Sequence, residues 1–215
     1  DARGRGLGDE RRWCQREYDG QQGSGGKNGT GQSTTPAGTR DNLATPVEGP
    51  QPVPVVLTTP RLTVRQFTTA DAAGLQAICG DRRTMRYVGD GMVLSRERCT
   101  GWIGESLRDY ATRGYGAWAL QADGAGELAG YGGIVTARRR ADPEIIYALR
   151  PSLWGRGLAS ELVPALLEYG FGTCGLRRLV ATVRPENHAS VRVLEKAGMH
   201  CAGEELGPEG ILMLI

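Results

Sequence analysis

The chain has 215 residues, a formal net charge of +2 and 40% hydrophobic residues, with a mean hydropathy of −0.34. That is enough for one ordinary globular domain with sequence to spare, and the charge balance gives no bias toward nucleic acid or a membrane surface. No apolar run is long enough to cross a bilayer, and the N-terminus lacks the apolar core of a signal peptide. The five cysteines (Cys14, Cys79, Cys99, Cys174 and Cys201) are odd in number and scattered. They read as reduced thiols of a cytoplasmic protein, with neither a disulfide framework nor a zinc site.

The chain divides near residue 55. Residues 1–54 are rich in Gly, Gln, Ser, Thr and Pro and poor in apolar side chains, a composition that predicts a disordered tail. Asp1 in place of Met reads as a fragment or a misplaced start. Residues 55–215 carry the domain. Arg61–Gln66 alternates as a strand. Ala70–Cys79 is predicted helical with Thr68 or Thr69 as N-cap. Ser95 caps a second helix that places Cys99, Trp102, Ile103, Leu107 and Tyr110 on one face. Ala117–Gln121 and Leu128–Val135 are strands joined by the Asp123-Gly124 hairpin signal. Arg138–Arg140 lies in the following turn and reads as a solvated run, or else as a contact for an acidic group. Glu144–Leu149 is a further strand. The helix after Gly157 shows Leu158, Leu162, Leu166 and Leu167 at helical spacing, and Pro164 inside it predicts a kink or a shortened first segment. A strand over 178–183 follows, then a helix over 188–197 closed by Gly198, and a strand over 200–205. These elements make a mixed α/β domain, of the α+β type with a mixed sheet.

The segment around Gly155 and Gly157 carries the chemistry. A strand that feeds a glycine-containing loop into a helix N-terminus forms an anion site, because free backbone N–H groups converge there and the helix dipole adds positive potential. A P-loop would need Lys-Ser or Lys-Thr after the second glycine, and Leu158-Ala159 stands there. A dinucleotide site would need an acid at the end of the next strand, and Arg184 stands there. A third reading, coenzyme A held by its pyrophosphate, has the support of the rest of the chain. Mere turn glycines are the plain alternative to all three.

Four blocks resemble, in order, those of the GNAT N-acetyltransferases, and are most similar to the branch that acetylates the N-terminal residues of ribosomal proteins. They are Pro60–Gln66 with Thr69-Ala70-Asp71, Glu144–Tyr147, Trp154–Glu161 and Pro185–Met199. The resemblance covers roughly residues 55–215. It departs at Ser152, where the wider family pattern has Gln or Arg. It also implies a final strand at Ile211–Ile215 that runs a few residues short. What it implies is a GNAT-like acyl-CoA N-acyltransferase fold and acetyl-CoA as cosubstrate, without a metal. The acceptor would be an amine, either a small molecule or a protein N-terminus. Nothing in it chooses between a monomer and a homodimer.

The resemblance also implies roles for single residues. Trp154, Gly155, Arg156, Gly157, Leu158 and Ala159 would hold the pyrophosphate, mainly through backbone amides. Arg156 could equally be a solvated arginine. Backbone N–H groups near Tyr147 and Leu149 would polarise the acetyl carbonyl. Glu144 would be the base that takes a proton from the acceptor ammonium; a surface ion pair is its plain alternative. Asn187 and Ser190 share a helix face. Asn187 would touch the pantetheine arm, although an N-cap role is sufficient for its presence. Ser190 would protonate the departing thiolate. His188 and His200 have no ligand spacing. No cysteine stands in a nucleophile context, which favours direct transfer. Two other functions stay open at this point: a non-catalytic acyl-CoA-binding module and a nicotinamide-dependent reductase.

Overall fold

The computed structural model describes residues 52–215 except 125, 137–141, 208–209 and 215, with side chains through Glu204. The expected tail therefore lies almost wholly outside the described residues, and Arg138–Arg140 lies outside them too.

Two sheets are built on a set of helices. Strands β1 (Val55–Thr58), β2 (Leu62–Arg65), β3 (Ala117–Ala122), β4 (Leu128–Thr136) and β5 (Pro143–Leu149) form an antiparallel sheet in that order. Strands β6 (Thr182–Val183), β7 (Gly203–Gly207) and β8 (Gly210–Leu214) form a second, in the order β6-β8-β7. Between β2 and β3 lie α1 (Ala72–Cys79), α2 (Arg82–Met85) and α3 (Arg96–Arg113). Helices α4 (Leu158–Glu168) and α5 (His188–Lys196) flank β6 in the chain. No helix of the described residues is long and apolar enough to cross a membrane.

Strand alternation sends side chains to two cores. One face of the sheet, with Val64, Trp118, Leu120, Ile145 and Leu149, packs on Leu162 and Leu166 of α4 and Leu194 of α5. The other, with Ala119, Tyr131 and Ala148, packs on Leu75 and Ile78 of α1 and Ile103 of α3. Each fully buried aliphatic side chain contributes about 1.5–3 kcal/mol. The four buried residues of α4 (Leu158, Leu162, Val163 and Leu166) therefore anchor that helix firmly. Gly132 of β4 makes the close approach possible: a Cβ there would stand 3.0 Å from Leu162 Cδ2.

Local signals explain most element ends. Ser95 Oγ accepts from Arg98 N–H at the start of α3. Thr68 precedes a 3₁₀ turn, Thr69–Asp71, that leads into α1. Its N–H and hydroxyl both donate to Asp71 Oδ2. Gly198 has φ +85. Its N–H bonds Glu195 O, and the Met199 N–H bonds Leu194 O, the paired bonds of a Schellman ending.

Several expectations are corrected. Leu107 is 37% exposed, and the buried stripe of α3 is Cys99, Ile103 and Ser106; the i, i+4, i+7 spacing leaves 107 at the stripe's edge. The shortened first segment expected from Pro164 does not occur: α4 runs through it to Glu168 before a π turn at Tyr169–Thr173. The only bond a proline forfeits there is one to the carbonyl of Ser160, in the first turn of the helix. The strand expected over 178–183 is in the ladder only at Thr182–Val183, plus a bridge at Val180. The strand expected over 200–205 is shifted to Gly203–Gly207. The edge strand β1 and the single-turn α2 carry no pattern long enough to read.

Candidate active site

Strand β5 and the segment that leads into β6 run parallel for one bridge, Glu144 to Val180, and then part. Ile145 N–H bonds Val180 O at 2.8 Å, and Val180 N–H bonds Pro143 O at 3.0 Å. Beyond that bridge β6 pairs with β8, while among the described residues β5 has β4 as its one ladder partner. The bonds of β5 alternate. Arg150 N–H points to β4, bonding Ala129 O at 2.9 Å, whereas Ile145 N–H points to the other side. The amides of Tyr147 and Leu149 share the direction of Ile145 and so line the cleft.

The cleft ends at the glycine loop. A 3₁₀ turn (Pro151–Leu153) leaves β5, and Trp154 then folds back so that its Nε1–H donates to Leu149 O at 2.7 Å. The indole stays 49% exposed. Gly155 and Gly157 have φ +72 and +79, in the left-handed region that glycine enters without a Cβ penalty. Gly157 is the N-cap of α4, and no side chain caps this helix. The N–H groups of Leu158, Ala159 and Ser160 are thus left for a ligand. The Leu158 side chain is buried in the core, so only its amide can serve the loop, while Arg156 is exposed. The uncapped helix end and the left-handed glycine turn fit a pyrophosphate. Among the described residues no group of three or more His, Cys, Asp or Glu side chains could hold a metal.

The two candidate catalytic side chains, Glu144 and Ser190, lie on opposite faces of β5. Tyr147 lies on the α4–α5 face, and its hydroxyl is 2.7 Å from Ser190 Oγ. Burial pushes the Tyr147 phenol above its usual range, and the Ser190 bond offsets that only in part. The phenol is therefore protonated at neutral pH and steadies the serine hydroxyl. Asn187 caps α5, its Oδ1 accepting from Ser190 N–H at 3.3 Å. Its capping role is thus real, and its NH₂ remains a separate donor.

Glu144 lies on the α1–α3 face, at the closed end of the cleft. It is about 10 Å along the strand from Tyr147 at ~3.3 Å per residue. Its Oε1 accepts from Thr182 N–H at 3.1 Å and from the Thr182 hydroxyl. Among the described residues Glu144 forms no ion pair; it is half-buried and ties β5 to β6 through Thr182.

Sequence reasoning missed four contributors. Thr182 holds Glu144. Arg184, two residues on, donates to Gly89 O at 3.2 Å, which ties the α2–α3 connection to the end of β6. Thr59 and Arg61 reach the glycine loop through Glu161. These contacts span 38, 95, 102 and 100 positions, so no local spacing announces them.

Comparison with known proteins gives a consistent result. Residues 61–200 match the family model described as an acetyltransferase (GNAT) domain. The uncharacterized N-acetyltransferase YoaA of Bacillus subtilis is 32% identical over 149 residues, which are 69% of this chain and 84% of that protein. An acetyltransferase structure from Agrobacterium tumefaciens is 27% identical, with a TM-score of 0.63 over 82% of this chain and 99% of that one. RimL, a ribosomal L7/L12 alpha-N-protein acetyltransferase in complex with coenzyme A, is 18% identical, with a TM-score of 0.64 over 75% of this chain and 96% of that one. At that identity the likeness shows the fold alone.

Proposed function

We infer that this chain, which belongs to the GNAT acetyltransferase family and is an N-acetyltransferase, takes its acetyl group from acetyl-CoA and passes it to a primary amine. The observation that carries this reading is the parting of β5 from the segment leading into β6 after the Glu144–Val180 bridge, along the amides of Tyr147 and Leu149 and toward the uncapped start of α4. Acetyl-CoA supplies the thioester; the chain's residues bind, orient and move protons. The amides of Leu158, Ala159 and Ser160 hold the pyrophosphate, with Gly155 and Gly157 shaping the turn. The NH₂ of Asn187 faces the pantetheine arm. An N–H of Tyr147 or Leu149 donates to the acetyl carbonyl oxygen and stabilises the negative charge that develops there.

The proton traffic follows from the two faces. The amine enters from the α1–α3 face, and Glu144 takes one proton from its ammonium, directly or through water. The neutral amine attacks the acetyl carbon, so a C–N bond forms and the C–S bond breaks. Ser190, oriented by the Tyr147 phenol, gives its hydroxyl proton to the thiolate leaving on the α4–α5 face, and the second proton shed by the acylated nitrogen returns through water to Ser190, so that amide and thiol form with the hydroxyl restored. Base and acid on opposite sides suit direct attack in a ternary complex, with no covalent intermediate on the protein.

The test is release of free thiol from acetyl-CoA in the presence of an amine panel: peptides with free N-termini, amino acids, polyamines and aminoglycosides. Amine-dependent release, with N-acetylated product by mass spectrometry, is expected for at least one class. Bound acetyl-CoA with no transfer to any amine would favour a non-catalytic acyl-CoA-binding module instead.

A further inference from the structure

Glu161 poses an electrostatic problem that the structure solves with residues from the far end of the domain. It stands four positions after Gly157, and its N–H bonds Gly157 O at 3.2 Å. A helical side chain leans toward the helix N-terminus, so this carboxylate leans toward the amides of Leu158–Ser160. A negative charge there is favoured by the helix dipole and competes with any other anion for the same amides. Yet both oxygens of the carboxylate are engaged elsewhere. Arg61 Nε donates to Oε1 at 2.6 Å, a second Arg61 nitrogen pairs with the same oxygen, and the Thr59 hydroxyl donates to Oε2 at 3.2 Å. Thr59 is itself fixed, because its Oγ1 accepts from Leu62 N–H at 3.0 Å across the β1–β2 turn. The guanidinium also borders the loop: a Cβ on Gly157 would be 3.3 Å from Arg61 Nη2.

The geometry points to Arg61 as a positioning residue for coenzyme A binding, which acts by neutralising Glu161 and holding its carboxylate off the α4 amides. This rests on the reading of that helix end as the pyrophosphate site. Arg61 is 49% and Glu161 20% exposed, and exposed ion pairs add little to stability. Loss of the pair is therefore expected to appear in ligand binding and not in the melting temperature of the free protein.

A double-mutant cycle separates this role from the others. Coenzyme A affinity is measured by titration calorimetry on the full chain for wild type, Arg61→Met, Glu161→Gln, the double variant and Arg61→Lys, with the ligand-free melting temperature of each. Arg61→Met should weaken binding about three- to tenfold, the range of a charge at a helix end. The loss should shrink at high salt. Glu161→Gln should bind at least as tightly as wild type, and the double variant should return to within about twofold of it. Arg61→Lys should keep most of the affinity. If Arg61 were a direct phosphate ligand, or if the pair were only a staple, the double variant would stay as weak as Arg61→Met, and the inference would be overturned. Arg61→Met binding like wild type overturns it as well. Wild-type protein that binds no coenzyme A refutes the cofactor reading, and the inference falls with it.

Discussion

Replacing Gly155 by alanine isolates the backbone requirement of the cofactor loop. Gly155 has φ +72, and a Cβ there would meet nothing within 4 Å, so the substitution brings no clash. What remains is the left-handed conformation, which costs a non-glycine residue about 1–2 kcal/mol. The cost is shared between two observables. If the free loop holds its shape, the protein loses stability and the melting temperature falls by about 2–8 °C at ~2–4 °C per kcal/mol. If the free loop relaxes, coenzyme A must rebuild it, and Kd rises about five- to thirtyfold. Calorimetric titration and a thermal melt on the same samples give the sum. Asparagine tolerates this region better than alanine, so Gly155→Asn should recover part of the loss. A sum near zero, or asparagine no better than alanine, would refute the claim that the loop needs a left-handed residue here.

Other outcomes follow from the same geometry. Glu144→Gln should lower turnover by about a hundredfold or more, as expected for loss of a general base. It should leave coenzyme A affinity nearly intact, since the amide oxygen can still accept from Thr182; full activity across the pH range would remove Glu144 as base. Ser190→Ala keeps the N–H that caps on Asn187 and should lower kcat at least about tenfold with little change in Kd. Unchanged kcat would take the proton-donor role from Ser190. Asp71 pairs with Arg65 at 2.8 Å, the two side chains 10% and 13% exposed. Burial alone would push this carboxyl up, but the bonds from Arg65 and Thr68 outweigh burial and hold it below 3.8. A depressed carboxylate contributes stability that is complete above its unfolded pKa and is lost as pH falls through the folded value. Melting temperature should therefore drop below about pH 4. Asp71→Asn should cost about 3 kcal/mol at neutral pH and flatten the acid limb; an unchanged limb would exclude this pair as its source.

Where local chemistry decides, the sequence was legible. The Asp123-Gly124 turn, the Ser95 cap, and the Asn187 and Gly198 ends of α5 each act within a few residues, and each stands as the pattern implies. The glycine loop was legible for the same reason. The cleft itself was not. The run 178–183 reads as one strand because its residues are β-prone, and only the competition between β5 and β8 for its backbone decides that it parts from β5 after Val180. Glu144 could be nominated from the resemblance, but its anchor on Thr182 depends on that parting. Arg61 lies a hundred positions from Glu161, and its bearing on the loop emerges only once α4 is seated on β4 through Gly132.

The most direct measurement is thermal unfolding of the purified chain with acetyl-CoA, coenzyme A, ATP or NAD. A ligand that binds only the folded state stabilises it by RT ln(1 + [L]/Kd), about 2.7 kcal/mol at a hundred times Kd. A rise of roughly 5–11 °C is expected with acetyl-CoA and coenzyme A at that ratio, by the same ~2–4 °C per kcal/mol, and none with ATP or NAD. No shift with either thioester or thiol would contradict the site at the start of α4, and a shift with NAD alone would replace it with a nicotinamide site.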